Sequence, residues 1–278
     1  MRLILRYEIL KTFRKWRTYI GFIAVAVVVP LVEIALRAQG ENLIRNMTRS
    51  LSQDFLMAGN LLNTYFVTYF IMNSLWVHIP FLITLGAGDQ LAGEATAGTF
   101  RLILTRPTSR TQVLVAKYLT TLLYTTALVL FLGALSLLLG TALLGTGDLL
   151  VPGRTLVIIP HQEAFWRTVV ALLLATWGMW CVASLAFLFS SLVENAIGPI
   201  IGTMAVIIVF LVVSNVPADL FADVRPYLFT TYLNLWQKAM TNPIPWTEIR
   251  QSFIILGGFS VGFFAATWYI FVRKDILS

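Results

Sequence analysis

The chain has 278 residues, of which 58% are hydrophobic and 12% charged, and its mean hydropathy is +0.81. A soluble domain of average composition carries about 25% charged residues, so the composition excludes a water-soluble globular protein. At roughly 20 apolar residues per helical span, the length allows about six spans and leaves no room for a soluble catalytic domain. The formal net charge of +7 would suggest nucleic acid as a partner of a soluble protein, but here we expect it to reflect membrane topology.

The first segment, residues 1–18, is predicted to form an amphipathic helix along the cytoplasmic surface of the membrane. Its apolar residues recur at helical spacing: Leu5, Ile9, Phe13 and Trp16. Its other side carries charged residues: Glu8, Lys11 and Lys15. A simple basic topology anchor is the alternative, and it explains the charge but not the apolar stripe.

Six apolar runs follow and predict an all-α integral membrane protein that forms one transmembrane domain over residues 1–278. The predicted spans are 19–36, 64–85, 118–144, 168–189, 196–213 and 253–272. The first run follows a basic segment, as a secretory signal would, but it is long and no small-residue cleavage site follows it. We therefore expect it to be retained as a span.

The distribution of basic residues predicts the orientation. With the N-terminus in the cytoplasm, the inner segments hold twelve of the 20 lysines and arginines, and three longer outer segments share the rest. Both termini are therefore predicted to be cytoplasmic. Among the outer segments, 151–167 is predicted to be an ordinary loop, whereas the apolar stretch 219–240 is expected to return into the membrane interface.

The inner segment 86–117 is the most informative part of the sequence. It begins as a polar, glycine-rich stretch, and residues 99–104 can form a short helix that Pro107 prevents from continuing. Ser109 and Gln112 then have the spacing of a capping box, which would start the helix of the third span. Glu94 is an acid in an otherwise basic loop, so we expect it to pair with a specific base or to cap a helix.

This segment resembles the cytoplasmic coupling segment of ATP-binding-cassette (ABC) permeases of the type-2 exporter family. The resemblance rests on the following residues: Asp89, Glu94, Gly98, Thr99, the apolar run 102–104, Pro107, Arg110 and Lys117. It extends to the basic amphipathic first helix, the six spans, the apolar final outer segment and the ending FVRKDIL at 271–277. The family is therefore the expected one, while the resemblance says almost nothing about the substrate.

The resemblance implies a short cytoplasmic coupling helix between spans 2 and 3 that docks on a separate ATPase. It assigns the following residues to ATPase coupling: Glu94, Thr99, Phe100, Arg101, Leu102, Ile103, Leu104, Arg106 and Arg110. The expected partners are two cytoplasmic ABC ATPases, which would bind ATP and Mg²⁺, a second permease copy or homologue, and membrane lipids, with no nucleic acid. The expected location is a bacterial or archaeal plasma membrane.

The chain itself is not expected to be an enzyme or to bind a cofactor. It contains no Gly-Lys dipeptide and therefore no phosphate-binding loop of the GxxxxGK[ST] type. Its two histidines, His78 and His161, have no HExxH motif or Cys/His cluster around them, so we expect neither catalytic residues nor a metal site.

Two faces are candidates for the substrate pathway, because the second and fifth spans surround the pathway in the family that the chain resembles. The second-span face is aromatic and polarisable: Tyr65, Tyr69, Met72, Asn73 and Trp76. The fifth-span face allows close helix approach: Gly198, Gly202 and Thr203. Packing against other spans explains either face equally well.

Two other function classes compete with an exporter permease. A secondary transporter or channel would be expected to place several ionisable groups at the membrane midplane, whereas Glu33 is the only acid well inside a span and lies near its outer end. An ATPase-coupled mechanical or assembly protein of the cell envelope would be favoured by a large outer domain, and the outer segments here are short.

Overall fold

The computed structural model describes residues 1–48, 60–98, 109–153, 156–216 and 219–273, which are mostly α-helical. The helices are α1 (Arg2–Arg14), α2 (Trp16–Thr48), α3 (Thr64–Ser74), α4 (His78–Thr96), α5 (Arg110–Leu144), α6 (His161–Leu192), α7 (Gly198–Asn215) and α8 (Trp246–Arg273). An antiparallel hairpin of β1 (Leu149–Val151) and β2 (Val157–Ile159) lies between α5 and α6. Three 3-10 helices lie between α7 and α8, namely Asp219–Phe221, Arg225–Tyr227 and Phe229–Met240.

Among the described residues, five helices are long and apolar enough to cross a membrane, as expected of a multi-pass membrane protein. They are Trp16–Gly40 within α2, Arg110–Leu144, His161–Leu192, Gly198–Asn215 and Trp246–Arg273. Helices α3 and α4 qualify together as a sixth if the bent pair is one span. The predicted runs 19–36, 118–144, 168–189 and 253–272 lie within α2, α5, α6 and α8, whereas 196–213 begins two residues before α7 and 64–85 is interrupted between α3 and α4.

The second span differs from the prediction of one continuous helix followed by a loop at 86–117. Helix α3 ends at Ser74, and α4 begins at His78 with a bend of 64°. A continuous helix is disfavoured here because the ring of Pro80 would collide with the carbonyl group of Trp76, whereas proline is tolerated in a first turn.

The predicted loop at 86–117 is also much shorter in the structure, because α4 continues to Thr96 and α5 begins at Arg110. The glycines of this segment suggested a loop, but in the structure they allow neighbouring helices to pack closely. A Cβ atom at Gly86 would collide with the ring of Tyr124, and one at Gly88 would lie 3.1 Å from Pro199. The stretch between the end of α4 and the beginning of α5 is therefore residues 97–109.

The first helix also differs from the prediction. The chain leaves the helical conformation at Lys15 (φ −76°, ψ 129°), so α1 and α2 are separate helices and not one segment over 1–18. The face of α1 with Glu8 and Thr12 is buried in the protein, whereas Leu3, Tyr7 and Leu10 are exposed. The charged face was predicted to lie opposite the membrane and is instead packed against other helices.

Helix α6 lies at the centre of the bundle. Two thirds (67%) of its apolar window is buried, whereas only 11% of the α8 window is. Its hydroxyl groups donate to carbonyl groups one turn earlier, as Thr168 does to Ala164 and Thr176 to Leu172. Threonine residues can therefore occupy the centre of an apolar bundle with their hydroxyl donors satisfied.

The two ends of the bundle carry different structures. At one end, called the α1 end below, α1 meets the end of α4 and the beginning of α5, and the Arg110 guanidinium donates to the Val272 carbonyl of α8 at 3.2 Å. At the opposite end, called the hairpin end, α3 packs against β1 and α6 begins beside the hairpin. The segment 151–167, predicted to be an ordinary loop, thus contains the last residue of β1, all of β2 and the first residues of α6.

Candidate functional site

A buried group of charged side chains holds the α1 end together. The Lys117 ammonium on α5 lies 2.8 Å from Oε2 of Glu8 on α1 and 3.0 Å from Oε1 of Glu94 on α4. The three side chains are only 1–3% exposed. Glu94 also forms an ion pair with Lys11, which is partly exposed. We call Glu8, Lys11, Glu94 and Lys117 the Lys117 cluster.

The geometry of this cluster gives each buried charge a partner of opposite sign. Lysine at this position can reach two carboxylates from different helices because its ammonium group donates in three directions. Desolvation makes such an arrangement expensive to break, since removing one partner leaves an unpaired charge in the interior. The cluster therefore fixes α1, α4 and α5 relative to one another.

A second ionic contact fastens the junction of α1 and α2 to α4. Asp89 accepts from Lys15 at 2.7 Å and from Arg17 at 3.2 Å. Beside it, the amide of Gln90 donates to the hydroxyl oxygen of Thr12 at 3.1 Å. The polar half of α4 is therefore in contact with α1 over more than one turn.

Helix α6 holds the same part of α4 from the other side. The Ser190 hydroxyl donates to the Gly88 carbonyl at 2.5 Å and accepts from the backbone N–H groups of Leu91 and Ala92. The Thr96 hydroxyl donates to the Glu194 carbonyl at 2.7 Å, just after the end of α6. A side chain thus takes part in the helical hydrogen-bond ladder of α4, which anchors this helix to the central helix of the bundle.

The predicted coupling residues fall into two groups. Glu94 lies in the Lys117 cluster, as expected for an acid that pairs with a specific base, and Arg110 begins α5. The hydroxyl of Ser109 accepts from the Gln112 backbone N–H, which confirms that Ser109 is the N-cap. The remaining predicted residues lie outside the residues that the structure describes: Thr99, Phe100, Arg101, Leu102, Ile103, Leu104 and Arg106.

The residues predicted to line a pathway on α3 make contacts within this chain. The Tyr65 ring packs on His161, and the rings of Tyr69 and Trp76 both lie 5.7 Å from that of Trp236 in Phe229–Met240. Met72 is buried, and Asn73 is exposed and accepts from Gln237 at 2.8 Å. Only the Asn73 and Trp76 end of this face is accessible.

The predicted pathway residues on α7 also pack locally. Gly198 and Gly202 approach Val193 and Phe189, and the buried Thr203 hydroxyl donates to the Pro199 carbonyl at 2.6 Å. An apolar cavity of about 320 Å³ lies nearby, at the bend between α3 and α4. Its wall is formed by Ala24, Val25, Val28, Leu75, Val77, His78, Ile79, Phe81, Leu82 and Met204. The cavity lies beside the bend and is not lined by the predicted residues.

Sequence reasoning missed the burial of Glu8, Asp89 and Lys117. Glu8 was assigned to the solvated side of α1, and Lys117 to the beginning of a span. One signal was available, because Glu8, Asp89 and Glu94 are acids in segments whose other charges are mostly basic. Within the described ranges, no group of three His, Cys, Asp or Glu residues is placed to hold a metal ion.

Comparison with known proteins gives a family. The sequence model described as "Protein of unknown function (DUF2705)" matches residues 47–277, a range that includes Glu94 and Lys117 but not α1. The chain is also 29% identical over 206 residues to "Uncharacterized protein YhcI" of Bacillus subtilis (strain 168). This alignment covers 70% of the chain and 64% of the relative's own length.

Proposed function

We propose that this chain, which belongs to the DUF2705 family, is the membrane-spanning permease subunit of an ATP-driven ABC exporter. The observation that carries the proposal is the position of Lys117, which joins α1, α4 and α5 at the base of the connection 97–109. ATP and Mg²⁺ would bind to separate ATPase subunits, and this chain would supply the transmembrane pathway.

The Lys117 cluster supports a mechanical role for the connection. Glu94 lies just before it on α4, and Lys117 lies two turns into α5 after it. Lys117 forms ion pairs with Glu94 and with Glu8. The two ends of the connection are therefore held next to each other and against α1. A partner that moved the connection would therefore move three helices together, since a buried ion pair yields less readily than a solvated one.

The orientation that this function needs agrees with the charges of the α1 end. Arg2, Arg6, Arg14 and Arg17 are exposed there, and an excess of basic residues is typical of cytoplasmic segments. Both termini and 97–109 would then face the cytoplasm of a bacterial or archaeal cell. The exposed apolar side chains of α1 would lie in the inner leaflet and make α1 an interfacial helix.

The proposed architecture has six spans, with the bent pair of α3 and α4 as the second. The apolar cavity at the bend would suit a substrate with an apolar part. Because the cavity lies between α2, α4 and α7, a movement of α4 would open it. The complete exporter would contain a second permease copy or homologue and two ATPases. The apolar 3-10 segment Phe229–Met240 would then lie at the outer membrane interface.

Purification from the native membrane tests this proposal. A tagged chain in mild detergent should retain a cytoplasmic ATPase that carries a GxxxxGK[ST] motif, and the complex should hydrolyse ATP in a Mg²⁺-dependent reaction. Phe100→Ala and Arg101→Glu should release the ATPase or uncouple ATP hydrolysis from transport. The reason is that they alter the apolar and the basic part of the predicted docking helix. Arg250→Glu is the matched control, since this exposed arginine lies at the opposite end of the bundle.

Three outcomes would contradict the proposal. If both loop variants retain the ATPase in wild-type amount with unchanged hydrolysis and transport, the segment acts only as a topology anchor. If the chain alone moves its substrate across vesicles without any ATPase, it is a secondary transporter or channel. Retention of the ATPase without transport of any solute would favour the mechanical or assembly role.

A further inference from the structure

Glu33 is a carboxyl group inside the apolar part of α2. It lies on the buried stripe of this helix, with Val29 one turn before it and Leu36 after it, and it is 0% exposed. At 1.5 Å per residue, it is about 25 Å along the helix axis from Trp16. It therefore lies towards the hairpin end of the span, within the packed interior of the bundle.

One oxygen of Glu33 takes part in a chain of hydroxyl groups from three helices. The Ser136 hydroxyl of α5 donates to Oε1 of Glu33 at 3.1 Å, and its oxygen lies 3.0 Å from the hydroxyl oxygen of Thr68 on α3. When the single hydrogen of Ser136 is directed at Glu33, Ser136 accepts from Thr68 in the second bond. All three side chains are fully buried.

The second oxygen, Oε2, is buried and has no hydrogen-bond partner within the described ranges. Among those residues, no ion pair involves Glu33 either. The helices packed against α2 carry these other titratable or charged groups: Arg2, Arg6, Tyr7, Glu8, Lys11 and Arg14 on α1, Tyr65 and Tyr69 on α3, His78, Asp89 and Glu94 on α4, and Arg110, Lys117, Tyr118 and Tyr124 on α5. The acids and lysines among them belong to the α1 end, and Arg37, one turn along α2, is exposed.

A negative charge in this position would be poorly stabilised. An ionised carboxylate in an apolar interior needs a counter-charge or several donors, and Glu33 has one hydroxyl donor. A bound proton removes the charge without further ligands. A calcium or magnesium ion would need about six or more oxygen ligands, whereas the side chains of Glu33, Ser136 and Thr68 bring four together.

We propose that Glu33 is a proton-binding site within the span bundle, which takes its proton from the solvent at the hairpin end and returns it there. The carboxylate gains one O–H bond on uptake and loses it on release. The Thr64 hydroxyl, one turn from Thr68 towards the hairpin end, donates to the Leu137 carbonyl and extends the polar groups in that direction. The inference is independent of the ATPase, because all these contacts lie within one chain.

The proton site also connects with movement of the bundle. Glu33, Ser136 and Thr68 come from α2, α5 and α3, so separating these helices would open the site to water. A hydrated carboxyl group releases its proton more readily than a buried one. Opening at the hairpin end should therefore be accompanied by proton release, and closing by proton uptake.

Infrared difference spectroscopy of the purified full chain in an ester-free detergent tests the site. At neutral pH, the spectrum of the wild type minus Glu33→Gln should contain the C=O stretching band of one protonated carboxyl group. The band should move to higher frequency in Ser136→Ala, because that variant removes the donor to Oε1. On alkaline titration, it should give way to carboxylate bands.

The matched control is Glu248→Gln, whose carboxylate is mostly exposed and should contribute only carboxylate bands at neutral pH. Carboxylate bands alone in the Glu33 difference spectrum at neutral pH would overturn the proposal. So would bands that respond to exchange of sodium for choline at constant pH but not to pH itself, since they would indicate a sodium site. If Glu33→Gln does not fold, the Ser136→Ala shift decides: a shifted protonated-carboxyl band supports the site, and an unchanged spectrum contradicts it.

Discussion

Replacing Lys117 with methionine should destabilise the protein more than removing any surface charge. Methionine keeps the unbranched apolar stem but leaves Glu8 without the ammonium group that lies 2.8 Å away. Breaking a buried ion pair by removing one partner costs about 3–5 kcal/mol. Since Lys11 still neutralises Glu94, we expect a loss of about 3 kcal/mol, at the lower end of that range.

The measurement is unfolding in mixed micelles, in which SDS is added to the purified protein and the fluorescence of its 8 tryptophans is followed. Lys238→Met provides the comparison, because its ion pair with Glu248 is largely solvated and should contribute under about 1 kcal/mol. Adding Glu8→Gln to Lys117→Met should restore part of the lost stability, because it removes the unpaired buried charge.

The reasoning about the Lys117 cluster would be refuted by either of two results. The first is a Lys117→Met protein that is as stable as Lys238→Met. The second is a Glu8→Gln substitution that lowers the stability of the Lys117→Met protein further, which would show that Glu8 has another source of stabilisation.

Three further predictions concern other parts of the chain. Asn63→Ala should lower the free energy of unfolding by about 2 kcal/mol in the same assay, because the buried Asn63 side chain accepts from the backbone N–H groups of Tyr65 and Phe66 and so caps α3. Asn215→Ala, at an exposed position, should change it by less than about 0.5 kcal/mol. Gly86→Ala should lower the free energy of unfolding by about 1–3 kcal/mol, because the added Cβ atom would collide with the Tyr124 ring. Gly262→Ala, which has open space around it, should be neutral or slightly stabilising. Equal effects of the two substitutions would contradict the packing argument. In a Cys181→Ala background, a membrane-impermeant thiol reagent outside the cell should label Thr247→Cys and not Arg110→Cys, and the reverse pattern would invert the proposed topology.

The helices of the bundle are visible in the sequence because the information for them is local. A bilayer offers no hydrogen-bond partners, so an apolar run must satisfy its own backbone groups as a helix. The runs at 118–144 and 168–189 accordingly lie within α5 and α6. Ser109 is equally local, since its hydroxyl caps an N–H group three residues later.

Glycine misled the sequence interpretation at Gly86 and Gly88. The same residue type is typical of loops and of closely packed helices, and only the neighbouring side chains distinguish the two. Tyr124 and Pro199, which occupy the space of the missing Cβ atoms, are distant in sequence. The predicted loop therefore became the polar half of α4, and the coupling segment was predicted to be longer than the connection 97–109.

Composition and apolar periodicity by themselves determined that this chain is a helical membrane protein and where most of its helices lie, because those properties depend on neighbouring residues. Only the tertiary structure decided which charges are buried together. Lys117 is separated from Glu94 by 23 residues and from Glu8 by 109, so no local spacing reveals the cluster. Glu33 is likewise 103 residues from Ser136, and its burial depends on three helices that meet only in the folded bundle. Charge burial is a property of the packed interior, since it is set by the distance to a partner and by the exclusion of water.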